Sequence, residues 1–190
     1  MKRTAKILRK TAETEITVEM NLDGSGKNEI NTGYKFMDHM LSLLSRHSNI
    51  DIKLKATGDL THHIIEDIGI SLGESFQKAL GDKKGINRYG SALIPMDEAL
   101  ARCVLDFSGR KALILDLDLN DCNIEDVAVE DIKHFFNSFA ENAKINLHIH
   151  VLYGKDQHHK VEAAFKALAR AIKEGKRILS DEIPSTKGIL

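Results

Sequence analysis

The stretch His62-His63-Ile64-Ile65-Glu66, which returns as His158-His159-Lys160-Val161-Glu162, shows that the chain is built twice. Upstream of each copy the same neighbours follow in the same order. His39 of Asp38-His39-Met40 answers His134 of Lys133-His134-Phe135. Each lies in a run with apolar residues at helical spacing, 37–47 and 132–143, and each run leads into an alternating strand, 50–54 and 145–149. Gly58-Asp59 and Gly154-Lys155 then break the strand, and the double histidine opens a second helix that carries Leu72 or Leu168 on its buried face. Asp23-Gly24-Ser25-Gly26 and Asn120-Asp121-Cys122-Asn123 occupy corresponding loops.

Further strands are read at 16–20, 93–96, 101–107 and 113–117. The expected fold class is α+β: an internal duplication of two β-β-α-β-α halves, 1–86 and 87–190, whose antiparallel sheets carry helices on one face. Together the halves make one domain. Residues 174–190, rich in glycine, lysine and serine and ending in Pro184-Ser185-Thr186-Lys187-Gly188, read as a mobile tail.

At 190 residues and 42% hydrophobic content the chain can bury a core without covalent staples. Cys103 and Cys122 form neither a metal-spaced nor a redox pair, which fits a reducing cytoplasm, and neither is expected to act as a nucleophile. The start, Met1-Lys2-Arg3-Thr4-Ala5-Lys6, lacks the apolar run of a signal peptide, and no stretch is long and apolar enough for a bilayer. With 27 basic against 28 acidic residues there is no global field for nucleic acid or a membrane surface, so an anionic partner is expected to be small and locally bound.

On a helix His62 and Glu66 lie one turn apart on one face, as do His158 and Glu162, while His63 and His159 point about 100° round from their neighbours. One helix can therefore address two metals. A lone histidine would be read as an ordinary surface or core residue, but this motif occurs twice, each time with a helical histidine upstream. His39, His62, His63, His134, His158 and His159 with Glu66 and Glu162 divide into two sites of three nitrogens and one oxygen, without assigning each ligand to its metal. Open coordination positions and the absence of thiolate favour Mn²⁺ over a closed zinc site, with other divalent ions possible. If the helices stand apart within one subunit, copies related by symmetry must bring them together. His47, closing a helix, suits the dipole as a cation, and His148 and His150 alternate along a strand; none of the three is counted as a ligand.

The runs Phe36-Met37-Asp38-His39-Met40-Leu41, Gly58-Asp59, 62–70, Gly85-Ile86-Asn87-Arg88-Tyr89-Gly90, Pro95-Met96-Asp97-Glu98-Ala99-Leu100, Asp106-Phe107-Ser108-Gly109-Arg110, 154–162, 165–171 and Ser185-Thr186-Lys187-Gly188 resemble the imidazoleglycerol-phosphate dehydratase family over nearly the whole chain. The sequence departs from the family's pattern in a shorter loop before His62, in Ile64 for a threonine and in Asp156 for an asparagine. The resemblance implies a ribosomal protein S5 domain 2-like fold, two Mn²⁺ per subunit, and a homo-oligomer of 24 subunits built from trimers. It implies a cytoplasmic lyase that dehydrates D-erythro-imidazole glycerol phosphate to imidazole acetol phosphate, without a fused phosphatase. Substrate contacts are implied for Glu13, His39, His62, His63, Glu66, Arg88, Arg110, Ser185 and Lys187.

The proton to be removed has no carbonyl beside it, so the imidazole ring itself must supply the electrons. A metal that displaces the ring N–H proton gives a metal-bound imidazolate able to expel the neighbouring hydroxyl. Arg88, Arg110, Lys187 and Ser185 suit the phosphate, although a lone arginine is more often plain surface charge. Glu13 orients substrate or relays a proton, with Glu162 or a metal-bound hydroxide as base. A metallohydrolase is the competing enzyme class, but the H-E-x-x-H order is absent; a metal-storing oligomer would have no use for a phosphate cluster.

Overall fold

Alternation of apolar and polar residues sends one face of each strand inward, and the computed structural model, which describes residues 3–190, closes that face with helices. Met1 and Lys2 of the charged start lie outside the described residues. In the first half β1 (Thr4–Lys10), β2 (Thr14–Asn21), β3 (Asn28–Asn31) and β4 (Asp51–Gly58) form a sheet in the order β1-β2-β4-β3. The second half repeats it with β5 (Tyr89–Met96), β6 (Ala99–Asp106), β7 (Ala112–Asp116) and β10 (Asn146–Tyr153) in the order β5-β6-β10-β7; β8 (Asn123–Ile124) and β9 (Val127–Ala128) make a small separate ladder. Each half has a short edge strand parallel to its neighbour among antiparallel pairs: β7, at the strand expected over 113–117, and β3, which is not expected from the sequence.

Helices α1 (Lys35–Ser48) and α2 (Thr61–Leu80) belong to the first half, α3 (Val129–Ala143) and α4 (Gln157–Gly175) to the second. The helices lie between the sheets, α2 on α3 and α1 on α4. Burial explains why: α2 and α4 are apolar well beyond one stripe, and each has both a sheet and a helix to cover it. At the α2–α3 crossing a Cβ on Gly69 would meet Phe135 O at 2.8 Å, and one on Gly73 would meet Phe139 O and Ala143 N at 2.8 Å. Only glycine lets the backbones approach so closely. Phe76, Phe135, Phe136, Phe139 and Phe165 fill the helical layer, with the Phe136 and Phe165 rings 4.8 Å apart.

Outer faces differ between the halves. Across the first sheet Lys6, Glu19, Lys53 and Glu29 stand in register, and Lys6–Glu19 and Lys53–Glu29 pair at 2.6 and 2.7 Å, a solvated ladder of alternating charge. The second sheet instead exposes Leu93, Val104, Ile114 and Leu152 around His148 and His150. Both histidines are thus sheet residues. Beyond α4 the segment read as a mobile tail is tied to the end of the first half: Asn87 N donates to Arg177 O, Leu179 N to Gly85 O and Gly85 N to Glu182 O. Satisfying those backbone groups gives residues 177–182 a fixed course.

Candidate metal centre

The crossed helix pairing brings together residues that the duplication places in different halves. On α1, His39 Nε2 lies 3.1 Å from Oε2 of Glu162 on α4, and His158 Nε2 lies 3.4 Å from the same oxygen. One donor atom from each of these three residues falls within 4.8 Å of the others, the one such group among the described residues that could hold a metal ion. Asp126, from the loop before α3, accepts from the first amides of α1, Lys35 N at 2.6 Å and Phe36 N at 3.1 Å, and so fixes the helix end that carries His39. Phe36 packs edge-on to the His158 ring at 5.1 Å. A cleft of about 520 Å³ opens here, lined by Lys35, Phe36, His39, Glu125, Asp126 and His158.

The duplicate arrangement joins α2 to α3. The His62 and His134 rings meet edge to face at 4.6 Å, and His62 Nε2 lies 3.9 Å from Glu66 Oε2. This trio is more loosely gathered, since His134 Nε2 turns toward Glu130 at 3.5 Å. His63 and His159 join neither trio. His63 sits against Asp59 and Glu13, and His159 against Glu98 and Asp97.

Carboxylates that sequence spacing did not single out hold the rings. Asp131 takes His62 Nδ1 at 2.9 Å, Asp59 takes His63 Nδ1 at 2.9 Å, Glu98 takes His159 Nδ1 at 2.7 Å and Glu125 faces His158 Nδ1 at 3.3 Å. Each leaves Nε2 as the remaining ligand atom, the arrangement in which an outer carboxylate orients a metal-binding imidazole. Asp59 precedes His63 by one helical turn, a signal present in the sequence; Glu98 is remote from His159 and could be found only in three dimensions.

Electrostatics distinguish the acids. Burial alone would raise the Glu162 carboxyl, but hydrogen bonds from Lys166 and His39 outweigh it and hold the group below its usual range. The Asp156 amide first, then His159 and the Lys155 amide, hold Glu98 down to about 2. Hydrogen bonds donated to the Asp59 and Glu98 carboxylates raise His63 and His159 respectively. His47 departs from the expected helix-end cation: burial, with Lys166 and Arg170 nearby, lowers it and favours the neutral ring. Burial also pushes the Cys103 thiol up, and Cys122 accepts from Gln157 Nε2 at 3.0 Å. Asp156, the departure from asparagine, caps α4 by accepting from His159 N at 3.2 Å, a role either residue fills.

The residues expected around phosphate lie elsewhere in the chain. Arg88 N donates to Gly175 O at the end of α4, while His158 stands at its beginning, about 26 Å away along the helix at 1.5 Å per residue. That exceeds the reach of a three-carbon phosphate arm. Arg88 Nε and Nη2 grip Asp106 at 2.7 and 3.1 Å, and Nη1 donates to Pro184 O at 2.8 Å, which uses three of five N–H groups and brings Ser185 close. Arg110 is exposed, and Ser185 Oγ accepts from Lys187 N at 3.2 Å. Glu13 is exposed, with Oε2 3.7 Å from His63 Nδ1. No helix among the described residues is long and apolar enough to cross a membrane.

The family profile described as imidazoleglycerol-phosphate dehydratase matches residues 32–172. An imidazoleglycerol-phosphate dehydratase of Chloroherpeton thalassium is 52% identical over all of this chain and 99% of its own, and one of Clostridioides difficile is 49% identical over 97% of this chain and 98% of its own. Among solved structures, the Staphylococcus aureus imidazoleglycerol-phosphate dehydratase superposes with a TM-score of 0.85 at 35% identity, covering 92% of this chain and 99% of its own. The Pyrococcus furiosus enzyme, in complex with (S)-C348, gives 0.86 at 38% identity, covering 97% of this chain and 100% of its own.

Proposed function

The chain belongs to the imidazoleglycerol-phosphate dehydratase family, hydro-lyases of histidine biosynthesis, and on that premise we propose how its residues carry out a metal-dependent reaction. The substrate is D-erythro-imidazole glycerol phosphate; the products are imidazole acetol phosphate and water. The observation that carries the metal reading is the gathering of His39, His158 and Glu162 donors within 4.8 Å, imidazole and carboxylate without thiolate. His39, His158 and Glu162 hold one divalent ion, and His62, Glu66 and His134 the other. His63 and His159, which join neither trio, would supply the fourth ligand to ions held by neighbouring copies. Mn²⁺ suits this set, two per subunit. When bound, the ions supply Lewis-acid polarisation of the imidazole nitrogens, which lowers the cost of losing the ring proton.

The chain's own residues do the rest. Arg88, Arg110, Lys187 and the Ser185 hydroxyl take the phosphate through charge-assisted hydrogen bonds. Because Arg88 and His158 lie at opposite ends of α4, the phosphate group comes to rest on a different copy from the one holding the ring. Glu13 moves the substrate's carbon-bound proton through its carboxylate oxygens, which no hydrogen bond occupies among the described residues. Glu162, whose oxygens already accept from His39 and Lys166, serves as a ligand in preference to a base. Such a shared site requires a homo-oligomer, for which we carry over from the family resemblance 24 subunits built from trimers and a place in the cytoplasm, and the apolar outer face of the second sheet offers one surface for contact. The deciding test is turnover of imidazole glycerol phosphate by purified protein with metal removed and then restored; full turnover without metal would remove the metal reading.

A further inference from the structure

The two halves have solved one task with different residues. In the first half Asp59, in the turn between β4 and α2, binds His63 Nδ1, while Glu13, immediately before β2, stands 3.7 Å off. The residue in the place of Asp59 in the second half is Lys155, whose ammonium cannot accept from an imidazole N–H. Glu98, immediately before β6, occupies the place of Glu13: Gly58 packs against Glu13 O and Thr14 as Gly154 packs against Ala99. Its Oε1 accepts from Lys155 N at 3.0 Å and Asp156 N at 2.8 Å, and its Oε2 meets His159 Nδ1 at 2.7 Å. An ionised carboxylate only accepts, so the Nδ1 must carry the proton. Nε2 is then left as the free ring nitrogen, with Asp97 3.7 Å away, beyond hydrogen-bond distance.

We propose that Glu98 is a positioning residue which locks His159 in the Nδ1–H tautomer and so presents Nε2 as a metal ligand, the duty that in the first half falls to Asp59 and leaves Glu13 free for substrate. This rests on the reading of His159 as a ligand. Glu98 is already held by two loop amides before it meets the imidazole, so little ordering remains to be done when an ion arrives.

Glu98→Gln separates positioning from loop stapling. Its carbonyl oxygen can still accept from the Lys155 and Asp156 amides, but its NH₂ then faces His159 Nδ1 and imposes the opposite tautomer, with Nε2 protonated and unable to ligate. Full-length protein is titrated with Mn²⁺ by calorimetry and with Co²⁺ by visible absorption, and its melting temperature is measured. The expected result is a melting temperature close to that of the parent, a Kd for one of the two ions raised about 10–100-fold, and an altered Co²⁺ spectrum for that ion. Parental Kd values and spectrum in Glu98→Gln would overturn the inference, and so would a lower melting temperature with unchanged affinity, which is the mark of a loop staple alone. Parent protein that takes up no divalent ion would overturn the metal reading itself.

Discussion

His39 Nε2 lies 3.1 Å from Glu162 Oε2, so a histidine from the first half completes a motif of the second. Since the trio spans two halves, His39→Ala should remove one ion per subunit while His134→Ala removes the other. Elemental analysis of purified variants checks this. Loss of both ions in either variant, or of neither, would show that the two trios are not separate sites.

The two histidines outside the trios should be as necessary as those within them. Parent protein is expected to carry close to two divalent ions per subunit, and His63→Ala or His159→Ala should lower that content and abolish turnover. Full occupancy and activity in both variants would return these residues to the surface.

Arg110 is exposed in the turn between β6 and β7. Arg110→Ala should weaken substrate binding by about 2–4 kcal/mol, the cost of a charged contact buried in the complex, and leave metal content unchanged. A Michaelis constant equal to that of the parent would take Arg110 out of the phosphate site.

At Gly73 the close approach of α2 and α3 should outweigh helix propensity. Alanine would normally favour a helix interior by about 1 kcal/mol over glycine. Here its methyl would sit 2.8 Å from backbone atoms of Phe139 and Ala143 that cannot turn aside, and overpacking of this kind costs about 1–3 kcal/mol. Chemical denaturation should show Gly73→Ala less stable, and a gain in stability would contradict the packing described.

Metal and protons should act on stability in opposite directions. Asp59 and Glu98 raise His63 and His159 above 6.5 in the folded, metal-free chain. A raised folded-state pKa gives stabilisation that is fully present below the unfolded value and is lost as pH rises through the folded one. Chelated protein should therefore gain from these two residues as pH falls from 8 toward 6. Metal-loaded protein should lose instead, because ligands must be unprotonated, and by about pH 5.5 its sites should empty and release smaller particles, with activity falling alongside mass. Melting curves and light scattering on both forms test the contrast; a chelated sample that keeps the mass of the large particle would show that assembly does not depend on these histidines.

Much of this protein was legible from its residues alone. Helical and alternating periods placed both ligand-bearing helix pairs and the central strands, because apolar spacing reports which face of an element is buried whatever lies against it. The one-turn separation of His62 from Glu66 and of His158 from Glu162 likewise follows from helix geometry. What periodicity leaves open is which buried face meets which. Only the packed structure shows helices turned inward, because Gly69 and Gly73 let α2 lie close on α3, and this pairs His39 with Glu162 across the duplication. Of the short parallel edge strands, β7 is legible at 113–117, but β3 escapes notice because four residues carry too little pattern to register. Glu98 meets His159, and Arg88 stands a helix length from His158, through contacts between residues remote in sequence, where no local rule of spacing operates.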